Sequence, residues 1–283
     1  MALLGRRLSP GTVASLGMTY RFARERVDYS DFAAGRVFRG LPGHPAFPVR
    51  LADEIFQQAL VLFQERGGRP PVTLYDPCCG GAYLLATLGY LHWESLARLV
   101  GSDLDPESLA LAARNLGLLG ESGIAERVEQ LAALHSLHGK ESHREALTSA
   151  RRFQARLTAL ARSHALTTTL FQADATKPGD LLANLGQETI DLVITDVPYG
   201  RSSSWITSSE QQADRASQID CLLEALRPVL SPHAVVAIAS DKGQRPRLAS
   251  YQRVAKLQVG TRRVLFLVAN SVAGKSPQRA GCA

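Results

Sequence analysis

The sequence predicts an α/β fold: a doubly wound, mostly parallel sheet of seven strands with an antiparallel C-terminal hairpin and a helical insertion. Between residues 72 and 239, short apolar runs alternate with amphipathic segments, which indicates strand–helix–strand units. The Gly260-Thr261 turn between the last two apolar runs favours an antiparallel hairpin. Residues 118–166 far exceed the roughly 2–6 residues that usually connect such elements, which indicates the insertion.

The individual elements are predicted as follows. The first helix is amphipathic and covers about Val49 to Glu65. Asp105 is predicted to cap a helix that opens at Pro106, since proline favours the first helical position, and that ends near Leu116. The remaining helices are Ala82–Trp93 and Glu210–Leu226. The strands are Val72–Tyr75, Ala97–Ser102, Thr168–Gln172, Ile190–Thr195, Ala234–Ala239, Val254–Val259 and Arg263–Val268.

The insertion is predicted to dock a helix on the core. Its apolar positions recur at helical spacing and are Leu147, Ala150, Phe153, Leu157, Leu160 and Ala161. Arginines lie off this stripe, so we expect a basic outer face, with a helix charged only for solubility as the alternative. The predicted limits are a basic N-terminal extension at residues 1–48, the main domain at 49–269 and a disordered tail at 270–283.

Charge is distributed unevenly along the 283 residues, whose formal net charge is +6. Residues 1–50 carry eight arginines against three acidic residues, and residues 240–283 carry nine basic residues against one acidic residue. The regions 51–119 and 167–239 are acidic. An acidic centre between basic arms is typical of a catalytic core with surfaces that face nucleic acid; solvated termini are the alternative.

Other features bear on compartment and metals. No convincing signal peptide follows Arg6-Arg7, and no run approaches the roughly 20 apolar residues of a membrane helix. Cys78 and Cys79 are adjacent while Cys221 and Cys282 stand alone, which suits a reducing cytosol. The histidines show no ligand spacing. We therefore expect a cytoplasmic protein without membrane contact or metal, and nothing in the sequence demands more than a monomer.

The first predicted strand runs into Asp76-Pro77-Cys78-Cys79-Gly80-Gly81. A glycine turn between a strand and its helix lets a ligand lie against the backbone. The turn lacks the G-x-G-x-x-G spacing of a dinucleotide site, and its leading acid suits the cationic methionine end of S-adenosylmethionine. We therefore assign Asp76, Cys79, Gly80 and Gly81 to a cofactor site.

An acidic residue also follows each of the next three strands. Asp103 is placed to accept both ribose hydroxyl groups, and Asp174, followed by Ala175, to accept the adenine amino proton. Asp196 ends the fourth strand. Each acid alone is a weak signal, since strand-end aspartates often cap loops, but four in succession jointly predict S-adenosylmethionine as the cofactor.

The segment Asp196-Val197-Pro198-Tyr199-Gly200 combines an acid, a proline and an aromatic ring at a strand end. A carboxylate that accepts N–H bonds beside a ring that can stack suits an extruded nucleobase. Asp196, Pro198 and Tyr199 are therefore the candidate catalytic residues. A strand cap for the aspartate and simple packing for the tyrosine are the alternatives.

Candidate RNA contacts lie outside this segment. Trp205 is a candidate for stacking on a base, with core packing as the alternative. Phe47 and Arg50 are candidates for contacting the cofactor carboxylate or an RNA phosphate. Arg151 and Arg152 are the candidates on the insertion.

Four segments carry a resemblance to a known family: Pro42–Ala52, Asp76–Gly80, Thr195–Gly200 and Gly260–Arg262. The sequence resembles the Rossmann-like class I S-adenosylmethionine-dependent methyltransferases, and within them the AviRa family of avilamycin-resistance 23S ribosomal RNA guanine-N1 methyltransferases. The similarity covers about Tyr20 to Val268. It implies a class I methyltransferase fold, large-subunit ribosomal RNA as substrate, and a cofactor surrounded by Asp76, Gly80, Asp103 and Asp174.

One departure from the family lies in the glycine turn. The family usually has G-S-G where this chain has Gly80-Gly81-Ala82. Because alanine disfavours positive φ, we expect Ala82 to keep an ordinary backbone conformation.

The resemblance implies methylation of guanine N1 in 23S ribosomal RNA, with either antibiotic resistance or routine ribosome maturation as the outcome. Asp196 then accepts the proton of N1–H or of the exocyclic amine, and Tyr199 stacks on the flipped guanine. Guanine-N2 methylation in ribosomal or transfer RNA is the nearest alternative, although Val197 replaces the first proline of the acid-Pro-Pro-Tyr motif. A noncatalytic RNA-binding factor is the alternative of another class, and a small-molecule methyltransferase has no need of basic arms.

Overall fold

The computed structural model describes residues 20–25, 27–33, 35–40, 46–197 and 215–270. In this part of the chain, seven strands named β1 to β7 span Val72–Asp76, Leu96–Asp103, Thr167–Gln172, Ile190–Asp196, Leu230–Asp241, Tyr251–Val259 and Arg262–Ala269. Seven α-helices of the same part, named α1 to α7, span Val49–Glu65, Tyr83–Leu91, Pro106–Gly117, Glu121–His138, Glu141–Leu160, Pro178–Leu185 and Arg215–Leu226. The predicted α/β fold is confirmed.

The strands form one sheet in the order β3-β2-β1-β4-β5-β7-β6. Strands β1 to β5 run parallel, and β7 pairs antiparallel with both β5 and β6. The strand order reverses between β1 and β4, and ligands of doubly wound sheets bind outside the carboxyl ends at such a point. Asp76 and Asp196 are the last residues of β1 and β4, so both lie at this edge.

Each face of the sheet buries its own apolar layer. Helices α1, α2 and α3 and the insertion cover one face, where Leu74, Leu99 and Phe266 are buried. Helices α6 and α7 cover the other face, which buries Tyr75 and Val236. Burying a side chain of this kind contributes roughly 1.5–3 kcal/mol. The two layers therefore hold the strands in place and fix the edge at which the site forms.

The insertion is a helical hairpin in which α4 and α5 are joined at Gly139, whose φ is 61°. The Phe153 ring of α5 stacks on the Tyr90 ring of α2 with centroids 3.9 Å apart. Ala161 is exposed because α5 ends at Leu160, so the predicted stripe extends beyond the helix. The stripe residues that are buried are Leu147, Ala150, Phe153 and Leu157.

The described N-terminal segment packs on the same core. Its residues Phe32, Val37 and Phe38 are buried, and the two phenylalanine rings pack against rings of α2 and α5. Glu54 of α1 is fully buried, and its carboxylate accepts three backbone N–H bonds of 2.6–2.9 Å from this segment. The donors are Arg21, Phe22 and Ala23. The limit at residue 48 stays a prediction, but the described residues before it contribute to the domain core.

Most predicted elements are confirmed, with ends shifted by a few residues. Helix α1 spans Val49–Glu65 as predicted, and Asp105 caps α3 by accepting the N–H groups of Glu107 and Ser108. Helix α6 was not predicted. Residues 210–214 of the last predicted helix and residues 271–283 of the predicted tail lie outside the described residues. No helix in the described ranges is long and apolar enough to cross a membrane.

The described cysteines fall into two groups. Cys78 and Cys79 carry free thiols, and burial raises the pKa of both. Cys221 of α7 is disulfide-bonded, so the expectation of unpaired cysteines is wrong for this residue. Within the described ranges, no group of three or more His, Cys, Asp and Glu side chains is arranged to hold a metal ion.

Candidate active site

The turn that follows β1 is tied to the end of β2. The Cys79 N–H donates to the Ser102 carbonyl at 2.9 Å, and the Gly80 N–H donates to Oδ2 of Asp103 at 2.8 Å. Gly80 has a φ of 51°, in the left-handed region that glycine adopts without a steric penalty. These bonds bring the predicted cofactor residues Asp76, Cys79, Gly80, Gly81 and Asp103 together at one edge of the sheet.

Ala82 does not keep the ordinary conformation predicted for it. Its φ is 53° and its ψ is 28°, so alanine occupies the left-handed region at the N-cap of α2. The buried Asn115 of α3 holds the turn in place, because its Nδ2 donates to the Gly81 carbonyl at 2.8 Å and to the Arg39 carbonyl at 2.9 Å. The surrounding structure thus imposes a conformation that costs an alanine about 1–2 kcal/mol.

Asp76 is the most deeply buried acid of the site, with 2% of its surface exposed. Its Oδ1 accepts the Cys78 N–H at 3.1 Å. Burial raises the pKa of Asp76 to about 7, and the nearby charges of Asp103 and Asp196 add to the rise, which hydrogen bonds only partly oppose. An acid in this environment gains most from a cation placed beside it, because a cation offsets both the burial and the neighbouring negative charge.

Asp103 is half-buried, and each of its carboxylate oxygens accepts one backbone N–H. Oδ2 accepts from Gly80, and Oδ1 accepts from Asp105 at 3.0 Å. A carboxylate has about four lone-pair positions. Both oxygens therefore retain accepting capacity for a pair of hydroxyl groups.

Asp174 and Ala175 follow β3 at the same edge. Asp174 is buried, and its Oδ1 accepts the N–H of Thr176 at 3.0 Å and the hydroxyl of Thr176 at 2.6 Å. Nζ of Lys177 lies 3.7 Å from Oδ2 of Asp174. The Ala175 side chain packs in the layer under α6 and α7. The carboxylate is thus fixed by its own turn, and its assignment to the adenine amino group stays a prediction.

Asp196, the last residue of β4, is contacted from β5 and from β7, the strand beyond β5. It pairs in register with Ala239, and its Oδ2 lies 3.6 Å from Nη2 of Arg262, the first residue of β7. The Arg262 guanidinium also lies over the Phe47 ring, 5.1 Å from its centroid. Arg262 was not assigned to the site from the sequence, although the Gly260–Arg262 segment contributed to the resemblance. The Gly260–Arg262 segment was recognised in the sequence, but no sequence pattern predicted that Arg262 lies next to Asp196.

The other predicted residues are distributed as follows. Pro198, Tyr199 and Trp205 lie outside the described residues. Phe47 is buried beneath Arg262, so its ring supports the site from inside the protein. Its role as an RNA contact stays a prediction.

Arg50 has a structural role in this conformation. Its guanidinium donates to the carbonyls of Ala23 and Arg24 at 2.9 Å each and lies 4.3 Å from the centroid of the Tyr20 ring. These contacts fasten the N-terminal segment to α1. Contact of Arg50 with a ligand stays a prediction.

Arg151 and Arg152 are exposed on the outer side of α5, as predicted. Nη1 of Arg152 lies 3.4 Å from Oδ1 of Asp31, an exposed contact that contributes little to stability. Both side chains are accessible to a polyanion, and their contact with RNA stays a prediction.

Similarity to known proteins agrees with this geometry. Residues 18–262 match the family described as rRNA methyltransferase AviRa. A curated relative from Streptomyces viridochromogenes, named 23S rRNA (guanine(2535)-N(1))-methyltransferase, is 42% identical over 258 residues, which cover 91% of this chain and 99% of the relative. Two solved structures of the rRNA methyltransferase AviRa from that organism match with TM-scores of 0.77 and 0.78 at 41% and 40% identity, and each match covers 88% of this chain and 96% of the other. The predicted resemblance is confirmed, and the chain is an enzyme of the AviRa family of ribosomal RNA methyltransferases.

Proposed function

We propose that this enzyme transfers a methyl group from S-adenosylmethionine to N1 of a guanine in 23S ribosomal RNA. The observation that carries the proposal is the set of strand-end carboxylates Asp76, Asp103, Asp174 and Asp196 along one edge of the sheet. They form two halves of the site. The first half contains Asp76 at the end of β1, which is buried and has a raised pKa, and the second half contains Asp196 at the end of β4, which lies beside Arg262.

The first half fits S-adenosylmethionine by its donor set. Asp76 is buried among other carboxylates and favours a cation such as the ammonium and sulfonium of the methionine portion. Asp103 retains lone pairs for two ribose hydroxyl groups, and the Gly80 backbone lies beside it. When bound, this cofactor supplies a methyl group attached to a positively charged sulfur, and the sulfur keeps the electron pair of the C–S bond when the methyl group is transferred. The remaining task of the protein is to position the base, which contributes up to about 7–11 kcal/mol.

The second half acts on the base. Guanine N1 carries a proton, so its lone pair becomes a good nucleophile only as that proton departs. Asp196 accepts this proton at a carboxylate oxygen, and the adjacent Arg262 offsets negative charge that spreads over the guanine ring as the proton leaves. Tyr199, which follows Asp196 closely in sequence, is assigned to stack on the base.

One observation favours N1 over the exocyclic N2 as the target. Val197 stands where the acid-Pro-Pro-Tyr motif of N2 chemistry has its first proline, and the Val197 N–H donates to the Ala239 carbonyl at 3.1 Å. A proline lacks this donor. Val197 is therefore tied to β5 by a bond that the N2 motif does not allow, which supports a different presentation of the base.

The test is transfer of labelled methyl from S-adenosylmethionine to 23S ribosomal RNA, supplied both naked and in large subunits, followed by nucleoside analysis. Label in 1-methylguanosine supports the proposal, and label in N2-methylguanosine supports the alternative. RNA binding without transfer contradicts both. In parallel, Asp196→Ala is expected to reduce transfer by about 10²–10⁴-fold while the cofactor affinity stays within a few-fold. Loss of cofactor binding in this variant would show that Asp196 belongs to the cofactor half.

A further inference from the structure

Strand β7 carries a second arginine, Arg263, directly after Arg262, and the two point to opposite faces of the sheet. Residues of β7 alternate between faces, since Val264 packs in the layer under α1 and α2 and Leu265 in the layer under α6 and α7. Arg262 lies on the first face, over Phe47. Arg263 therefore lies on the α7 face, paired in register with Ser240 of β5 and Gln258 of β6.

The guanidinium of Arg263 has donors without acceptors. Its Nε and Nη2 atoms are buried, and neither has a hydrogen-bond partner among the residues that the structure describes. Leaving a buried donor unsatisfied costs roughly 1–3 kcal/mol, more for a charged group. Such an arrangement is unfavourable in the isolated protein and is relieved when an acceptor binds.

A second buried donor without a described partner lies at the same end of the sheet. Gln244 is 7% exposed, and its Oε1 accepts the Asp241 N–H at 3.1 Å. Its Nε2 is buried and finds no partner in the described part of the chain. Ser240, the register partner of Arg263, directly precedes Asp241, whose N–H donates to Gln244, so Gln244 and Arg263 lie close together at the end of β5.

The electrostatic surroundings favour an anion. Burial lowers the pKa of Arg263, and the positive charges of Arg245 and Arg253 lower it further, against an opposing contribution from Asp241. Oδ1 of Asp241 already accepts the Gly243 N–H at 2.8 Å. Arg245 and Arg253 are both exposed; Arg245 directly follows Gln244, and Arg253 pairs in register with Leu267, which lies on the same face of β7 as Arg263.

We propose that Arg263, Gln244, Arg245 and Arg253 form a binding site for a phosphate of the RNA backbone, close to the nucleotide that is methylated. Phosphate oxygens supply the acceptors that the buried N–H groups lack, and the arginines supply the charge. The site lies at the same end of the sheet as the base pocket but on the other face, because β5 pairs with β4 up to Asp196 and Arg263 directly follows Arg262. Phosphate contacts fix the register of a nucleic acid. The site thus rests on the proposed function and adds a device that aligns the target base.

The experiment measures binding of a 23S ribosomal RNA fragment by filter retention over a series of potassium chloride concentrations, without methyl transfer. Arg263→Gln is expected to raise the dissociation constant about tenfold and to lower the slope of log affinity against log salt by about 1. S-Adenosylmethionine affinity, measured by calorimetry, and the melting temperature are expected to stay near the wild-type values. The matched control is Arg66→Gln, an exposed arginine at the opposite edge of the sheet, which is expected to change neither RNA affinity nor slope.

Unchanged RNA affinity and slope in a folded Arg263→Gln protein would overturn the proposal. If that variant does not fold, Arg245→Gln and Arg253→Gln replace it, since both side chains are exposed; each is expected to weaken RNA binding about threefold and to reduce the slope. Unchanged values in both would again overturn the site. This experiment measures binding, so its outcome is separate from that of the proposed function. A wild-type protein that binds RNA through Arg263 but methylates no guanine would support the phosphate site and contradict the proposed function.

Discussion

Two carboxylates of this enzyme have almost no exposed surface, and their pKa values are shifted in opposite directions. Glu54 is 0% exposed and Asp76 is 2% exposed. Burial alone raises the pKa of Glu54, but hydrogen bonds from the Gln58 amide and from three backbone N–H groups outweigh it, so the pKa is lowered. Burial also raises the pKa of Asp76, and hydrogen bonds from the Thr195 hydroxyl and the Cys78 N–H do not outweigh burial and the two neighbouring carboxylates, so the pKa is about 7.

The difference teaches that the pKa of a carboxylate with little exposed surface depends on how deep it lies and on how many donors it has; Asp76 lies deeper than Glu54 and receives fewer donors. Glu54 has its partners within the fold and fastens the N-terminal segment to α1. Asp76 receives fewer hydrogen bonds than Glu54 and lies beside two other carboxylates, at the place where the cofactor is proposed to bind. A buried carboxylate with too few donors is thus a better marker of a binding site than its burial.

The largest expected effect comes from removing the charge of Asp76. Asp76→Asn keeps the shape of the side chain but removes the attraction for a cation, so we expect the dissociation constant of S-adenosylmethionine to rise about 100-fold or more. The free energy of unfolding at pH 8 is expected to stay the same or to increase, because the variant no longer buries a charge. Calorimetric titration and urea unfolding measure the two quantities. A clear loss of stability with cofactor binding retained would make Asp76 a structural acid like Glu54.

Glu54→Gln is expected to give the opposite pattern. The amide has one oxygen in place of two to accept the backbone N–H bonds of Arg21, Phe22 and Ala23, so the free energy of unfolding should fall by about 2–3 kcal/mol. Cofactor affinity of the folded protein should change less than threefold. The control is Glu65→Gln at the exposed end of the same helix, which should leave stability within about 0.5 kcal/mol. Weakened cofactor binding in a fully folded Glu54→Gln protein would remove the distinction between the two acids.

The two acids also respond to pH with opposite signs. The folded pKa of Glu54 is lowered, so its contribution to stability is present above the unfolded pKa near 4.5 and is lost as pH falls through the folded pKa. The folded pKa of Asp76 is raised, so the folded state retains a proton that the unfolded state releases, and stability falls as pH rises from about 4 to about 7.

The raised pKa of Asp76 predicts how cofactor binding depends on pH. Since a cation binds the ionised form of Asp76, cofactor affinity should rise about tenfold per pH unit below a pH of about 7 and then level off. Titrations between pH 5.5 and 7.5 test this, with Asp76→Asn as the control that should show a flat profile. Equal slopes for the two proteins would assign the titration to another group.

The strand-end aspartates could be located from the sequence, whereas the role of Glu54 could not. Asp76, Asp103 and Asp196 could be predicted because an acid directly after an apolar run is a local pattern, and parallel strands bring such ends to one edge. Glu54 reads as an ordinary helix residue, since its donors come from a segment 31 to 33 residues away. The contact of Arg262 with Asp196 likewise depends on the register of β7 against β5, which no local pattern encodes.

The smallest expected effect on the free energy of unfolding comes from replacing Ala82, and it tests whether the turn beside Asp76 stores backbone strain. Tertiary contacts through Asn115 hold Ala82 at a φ of 53°, which local propensity did not predict. Ala82→Gly removes the steric penalty at some cost in chain entropy, so the free energy of unfolding should rise by about 1 kcal/mol. The matched control is Ala86→Gly in the interior of the same helix, where glycine should lower stability by about 1 kcal/mol. Equal losses in both variants, measured by urea unfolding, would show that the turn beside Asp76 stores no backbone strain.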